Sequence, residues 1–149
     1  MATVEMSFTP LPAHVRTARL VATAVARRSG VDEALLDEVR LAVGEACSRA
    51  VEAHQEHCPA EPVRVALTGT DGRFEVVVTD TAVQPGGANG GSEAPGDEPA
   101  AAAGEAARHA VPAELGLAVI EGLADDVQIA RTKAGLSIRM SWPSAATAG

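Results

Sequence analysis

Four charged side chains have types and positions suited to binding a polar or anionic ligand. Glu45 and Arg49 are four residues apart with the acid first, so on a helix they share one face and can form an ion pair. Asp80 follows an apolar stretch, and a carboxylate accepts hydrogen bonds without donating them. Glu114 precedes an apolar segment, where it can cap a helix but would repel phosphate. The simpler alternative for Glu45 and Arg49 is an ordinary surface pair contributing about 0.2–0.5 kcal/mol.

A second cluster contains groups that can bind metal ions, namely His54, His57 and Cys58. Structural zinc sites place two pairs of ligands at characteristic spacings. No second pair stands at such a spacing in the sequence, so we predict no metal ligand. Two cysteines without metal or redox spacing are typical of a reduced cytoplasm.

The helix that carries Glu45 and Arg49 is predicted from Asp32 to about His54. Asp32 suits the N-cap position. Apolar residues recur along this segment at helical spacing, which gives it one face for a core. They are Leu36, Val39, Val43, Ala46, Ala50 and Val51.

Period-two alternation of apolar residues predicts the strands around that helix. The predicted strands cover residues 4–8, 63–67, 74–80, 127–129 and 136–142, and further helices cover about 12–29 and 113–124. Asp71-Gly72 is a hairpin turn signal, and Gly30 suits a left-handed helix end. Helices on one face of a mixed, mostly antiparallel sheet make a two-layer α+β sandwich.

Bulk properties limit the classes of function. The chain has 149 residues and is 46% hydrophobic, which predicts one domain over residues 1–149. Its net charge of -8 argues against nucleic acid or an anionic membrane as a partner. Without a secretory signal or a membrane-length apolar run, a cytoplasmic location is expected. Residues 81–112 are predicted to form a flexible loop and residues 143–149 a disordered tail.

The segment Gly44-Glu45-Ala46-Cys47-Ser48-Arg49-Ala50-Val51 resembles the N-box of the anti-sigma-factor serine kinases. These are small members of the Hsp90 and histidine-kinase ATPase superfamily, also called GHKL, which has the Bergerat fold. Their pattern is Glu-Ala-x-Thr/Ser-Asn-Ala, in which the Glu is a base near the γ-phosphate and the Asn holds Mg²⁺. Glu45 matches that catalytic position, whereas Arg49 stands in place of the Asn.

The same family carries two glycine boxes that bind nucleotide. Asp80 is similar to the Asp of the Asp-x-Gly-x-Gly box, which accepts a hydrogen bond from the adenine amino group, but Ala82 and Gln84 replace the glycines. Gly116 and Leu117 match the second box. In this comparison residues 81–112 correspond to the lid over the nucleotide; an insertion without that role is the alternative.

Two further positions complete the candidate nucleotide set. Glu114 replaces the first glycine of the second box, and Ser137 keeps a hydroxyl in a turn that resembles the family's closing Gly-Thr-Thr. An arginine offers no oxygen to Mg²⁺. We therefore expect Arg49 to pair with Glu45, with Glu114, or with both, so that no cofactor is bound. The alternative is that the pocket still binds ATP, with Mg²⁺ or with Arg49 on the phosphates.

The resemblance implies an anti-sigma-factor-like regulator of a partner-switching module, as in sporulation and stress response. Its partners would be a sigma factor of RNA polymerase and a STAS-domain anti-anti-sigma factor, contacted through Arg16 and Arg19. The alternatives are an active serine kinase of that antagonist, with Glu45 orienting the substrate hydroxyl, and a scaffold that binds the antagonist only. By analogy, the strand edge at residues 4–8 offers a surface for a homodimer.

Overall fold

Alternating apolar side chains build a five-stranded sheet in the part of the chain that the structure describes. The structure is a computed structural model that describes residues 2–70, 72–82, 113–133 and 135–145; for Ala2 and residues 113–116 it describes the backbone only. The strands are β1 (Ala2–Phe8), β2 (Val63–Thr70), β3 (Arg73–Asp80), β4 (Asp126–Thr132) and β5 (Gly135–Pro143). The helices are α1 (Pro12–Arg28), α2 (Glu33–His57) and α3 (Ala113–Leu123).

The strand order is β1-β2-β3-β5-β4, and each neighbouring pair is antiparallel. The α+β sandwich predicted from the sequence is therefore confirmed, with the described pairings wholly antiparallel rather than mixed. β1 is an edge strand of this sheet, as the predicted dimer surface at residues 4–8 requires; dimerisation itself stays a prediction.

The core lies between the helices and one face of the sheet. β3 buries every second residue, from Phe74 to Asp80, and β5 does so from Leu136 to Trp142. α2 runs across this face and buries its apolar stripe against β3. The indole Nε1–H of Trp142 donates to the carbonyl oxygen of Leu123 at 3.0 Å, which joins the end of α3 to β5.

Local signals at the ends of α1 and α2 are confirmed. The Asp32 carboxylate accepts a hydrogen bond from the amide of Ala34 at 2.9 Å, so it is the N-cap of α2. Gly30 has a φ of 95°, the left-handed conformation expected of a helix end. α2 continues three residues beyond His54, and the amide of Cys58 closes its last turn on the carbonyl oxygen of His54.

The prediction of a disordered tail from residue 143 is wrong for its first three residues. Pro143 belongs to β5. The amides of Ser144 and Ala145 donate to the carbonyl oxygens of Gly72 and Gly30, at 3.0 and 2.8 Å. Two turns thus supply acceptors for this segment. Three predicted parts lie outside the described residues. They are the rest of the predicted tail, Asp71 of the predicted turn and residues 83–112 of the predicted loop.

Among the described residues no helix is both long and apolar enough to cross a membrane.

Candidate functional site

Asp80 is the most buried charged group at the end of β3. It occupies the alternating position that faces the helices and is 5% exposed. Both of its carboxylate oxygens have partners. Oδ1 accepts hydrogen bonds from the amides of Ala82 at 3.1 Å and Leu136 at 3.3 Å. Oδ2 lies 3.8 Å from Nη1 of Arg49, in an ion pair whose side chains are 6% and 18% exposed.

The negative charge of Asp80 offsets part of the effect of burial on the pKa of Arg49. Burial lowers the pKa of the Arg49 guanidinium from its ordinary value, and the negative charge of Asp80 opposes that shift. Nε of Arg49 is buried without a hydrogen-bond partner among the residues that the structure describes. Because an arginine side chain contains no oxygen atom, position 49 offers no oxygen ligand to a divalent metal.

The structure corrects the predicted partner of Arg49. Among the described side chains, Arg49 pairs with Asp80 and not with Glu45. Glu45 is half-buried on the same helix and acts on Arg49 only as a nearby charge that raises its pKa. The side chain of Glu114 lies outside the described residues, so its predicted pairing stays a prediction. Arg49 pairs with Asp80 because the buried Asp80 carboxylate lacks the water that solvates the half-buried Glu45 carboxylate.

Gly135 allows β5 to begin directly against the end of β3. Its φ is 141°, and a Cβ at this position would collide with the carbonyl oxygen of Asp80. This close approach brings the amide of Leu136 onto the Asp80 carboxylate. The glycine of the turn therefore helps to close the site from within the chain.

Ser137 does not face the Asp80 carboxylate, and its contact with a nucleotide stays a prediction. Leu136 and Ile138 point toward the helices, so Ser137 between them points to the opposite face of the sheet. It stands opposite Thr79, the neighbour of Asp80 that also faces away. The backbone amide of Leu136, rather than the hydroxyl of Ser137, meets Asp80.

Gly116 and Leu117 lie in α3, as the resemblance implies. Leu117 is half-buried and packs against the core. The surroundings of Gly116 fall outside the described residues. Contact of either residue with a nucleotide stays a prediction.

Arg131 lies near the candidate site but was not among the residues predicted from the sequence. It lies in β4 opposite Leu136, and its charge lowers the pKa of Arg49 further. Alternation along β4 places it on the same face as Val127, which packs against the core. The alternation along β4 is visible in the sequence, so it could have placed Arg131 on the same face as Val127. Arg131 is exposed, and it bears on the site through the effect of its charge on Arg49.

The predicted cluster of His54, His57 and Cys58 has a structural role at His54. This imidazole is fully buried, its Nδ1 lies 2.8 Å from the carbonyl oxygen of Glu61, and its Nε2 lies 2.9 Å from the amide of Thr81. Both ring nitrogens therefore have backbone partners. The described residues contain no group of three or more side chains able to hold a metal ion.

The two arginines predicted to contact partners differ in their surroundings. Arg16 is exposed on α1. Arg19 is half-buried because its stem crosses Gly44 of α2, where a Cβ would lie 2.6 Å from Arg19 Cδ. Arg19 also faces Cys47, whose pKa burial raises to about 12 while the arginine charge lowers it. Arg19 therefore packs on α2, whereas Arg16 is exposed to solvent.

A cavity of about 410 Å³ lies on the other face of the sheet. Its polar lining comes from the three strands at the β1 edge, with Glu5, Ser7, Arg64 and Thr79. It is separated from Arg49 and Asp80 by the sheet itself, so it is not the pocket that the sequence boxes predict.

Comparison with known proteins agrees with this architecture. A family model described as a histidine kinase-like ATPase domain matches residues 8–142. The crystal structure of the RsbU and RsbW domains of Rv1364c from Mycobacterium tuberculosis is similar, with a TM-score of 0.63 and 16% sequence identity. The match covers 95% of this chain and 32% of that one, and at this identity it shows the fold alone. No curated protein sequence matches the chain.

Proposed function

Because the chain belongs to the histidine kinase-like ATPase domain family, we propose that it is an anti-sigma-factor-like regulator that acts by binding proteins. Its partners are a STAS-domain anti-anti-sigma factor, an RNA polymerase sigma factor, or both. In this proposal ATP and Mg²⁺ binding is weakened or lost, so the chain is a pseudokinase.

The observation that carries this proposal is the state of the Asp80 carboxylate. In the family that the sequence resembles, the equivalent group accepts a hydrogen bond from adenine. In this chain its two oxygens are already engaged by the amides of Ala82 and Leu136 and by the guanidinium of Arg49. An adenine would have to displace a buried ion pair before it could bind. The same arginine removes the amide oxygen that would hold Mg²⁺.

A surface suited to a protein partner lies on the outer side of α1 and α2. We call it the α1–α2 patch and define it by Arg16, Arg19, Leu20 and Leu41. Leu20 is 62% exposed and Leu41 is 50% exposed. Leu20 lies one helical turn after Arg16 on α1. Arg19 packs over Gly44 of α2, and Leu41 lies almost one turn before that glycine. Exposed leucines beside arginines are typical of a protein interface.

The proposal is tested by titrating the chain with the STAS-domain antagonists and sigma factors of its own cell in a calorimeter. Arg16→Glu should weaken the complex by roughly tenfold or more if this arginine lies at the interface. Arg28→Glu makes the same change of charge at an exposed site near the end of α1, and it should leave the affinity within about twofold. Failure of every antagonist and sigma factor to bind would overturn the proposal.

The second candidate function is an active serine kinase of the antagonist, and the position of Glu45 favours it. Glu45 is half-buried, stands beside Arg49 and has no ion pair among the described side chains, so its carboxylate is available to orient a hydroxyl. Incubation with labelled ATP and the antagonist decides between the two. Transfer of label to a serine, abolished by Glu45→Gln, would make the chain a kinase. We expect no transfer.

A further inference from the structure

A buried histidine joins three separate segments where β3 ends. His54 on α2 meets the Glu61 carbonyl oxygen in the loop before β2 and the Thr81 amide after β3. A carbonyl oxygen can only accept a hydrogen bond, and an amide N–H can only donate one. The two contacts therefore require a neutral ring with its proton on Nδ1 and a free lone pair on Nε2.

We propose that His54 is a pH-sensitive latch, whose neutral imidazole holds the Thr81 backbone against α2 and whose protonated form releases it. Histidine is the side chain that changes charge nearest to neutral pH. A proton on Nε2 would point directly at the Thr81 N–H, so a donor would face a donor. The Thr81 amide would lose its acceptor, and residues 80–82 would have to move away from α2.

The latch acts on the candidate site because Thr81 lies between two residues of that site, Asp80 and Ala82. The carboxylate before it, Asp80, pairs with Arg49, and the amide after it, Ala82, donates to Asp80. Release of Thr81 therefore loosens one of the two hydrogen bonds to Oδ1 of Asp80, the one from Ala82. Acidification would open the candidate site from its β3 side.

Several charged or titratable groups lie on the segments that meet at this corner. They are Asp80 on β3, Cys58 and Glu61 in the loop after α2, and Arg49 and His57 on α2 itself. Asp80 and Arg49 carry opposite charges and are paired with each other. The hydrogen bond with Thr81 is lost once Nε2 is protonated.

Nuclear magnetic resonance on the whole chain tests the latch. The ¹⁵N shifts of the imidazole should show a protonated Nδ1 and an unprotonated Nε2 at about pH 7.5. Between neutral pH and the most acidic pH at which the chain stays folded, the protection factor of the Thr81 amide, corrected for intrinsic exchange, should fall by roughly tenfold or more. His14→Gln, a change at a surface histidine, should leave this fall intact.

His54→Gln supplies the matched variant, since an amide keeps one donor and one acceptor but does not titrate. In it, the protection of Thr81 should be the same at both pH values. A proton found on Nε2 at about pH 7.5, a protection factor independent of pH, or an equal fall in His54→Gln would overturn the latch. If the variant does not fold, the two measurements on the unaltered chain decide alone.

The latch as a regulator rests on the proposed function, since only a partner would respond to the opening. The exchange experiment does not need a partner, so the two ideas can fail separately. If Thr81 is released in acid but antagonist affinity stays constant across the same pH range, the regulatory role is wrong and the latch remains.

Discussion

The ion pair between Arg49 and Asp80 should couple strongly because both side chains are largely buried. Arg49→Met keeps the aliphatic stem but removes the charge, and it leaves Oδ2 of Asp80 without a partner. An unpaired buried polar group costs about 1–3 kcal/mol, and a broken, fully buried ion pair about 3–5 kcal/mol. The N–O distance is 3.8 Å and Arg49 keeps 18% exposure. We therefore expect Arg49→Met to lower the free energy of unfolding by about 2 kcal/mol, which lies in the range for an unpaired buried polar group.

A double-mutant cycle measures the coupling itself. Asp80→Asn retains an oxygen for the two backbone amides and removes the charge, so the second single mutant is conservative. Urea unfolding of the four proteins should give a coupling free energy of about 1–2 kcal/mol. With a denaturant slope of about 1–3 kcal/mol per molar, Arg49→Met should lower the urea midpoint by roughly 1 M.

The pair of Arg40 and Asp37 is the matched control. Its atoms are closer, at 3.0 Å, but the side chains are 50% and 81% exposed. Water screens such a pair, so its coupling should be below about 0.5 kcal/mol despite the shorter distance. If the Arg49–Asp80 cycle gives no more coupling than the Arg40–Asp37 cycle, then burial is not what makes the first pair strong. The reasoning about the closed site would then be refuted.

Three further outcomes test the packing around the site. Burial raises the pKa of Cys47 from 9.0 to about 12, so the thiol should resist iodoacetamide at about pH 9 until the chain unfolds. The thiol ionises at a lower pH in the unfolded chain than in the folded chain. The stability that the protonated thiol contributes is therefore present below about pH 9 and is lost as the pH rises toward 12. Gly135→Ala, at a φ of 141° and against the Asp80 carbonyl, should cost more than about 2 kcal/mol in urea unfolding, and an unchanged midpoint would argue against the close approach. Trp142→Phe leaves the Leu123 carbonyl without its donor, so calorimetry should show a loss of about 1–3 kcal/mol, more than area alone gives.

The fold could be read from the sequence because its signals are local and mutually consistent. The helical stripe of α2, the Asp32 cap, the glycine at position 30 and the alternation in β5 each determine a short segment. These segments can bury their apolar faces together only in a layered arrangement. Agreement among local signals of this kind is typical of sequences that specify one fold.

The site was harder to predict because its contacts join distant segments. Local spacing favours Glu45 as the partner of Arg49, but burial at the end of β3 selects Asp80. The role of His54 depends on a loop and a strand end that sequence spacing does not bring together. Ser137 alternates with Leu136 and Ile138, so the sequence already indicates that it lies on the opposite face of the sheet from the helices.

If an internal arginine has taken the place of metal and nucleotide, calorimetric titration of the unaltered chain with ATP and Mg²⁺ will show no saturable heat at millimolar nucleotide. Arg49→Asn combined with Glu114→Gly should partly restore binding, since these changes return an oxygen ligand and remove a fixed negative charge. Binding at micromolar Kd by the unaltered chain, dependent on Mg²⁺, would contradict the account and make catalysis the better explanation of the fold.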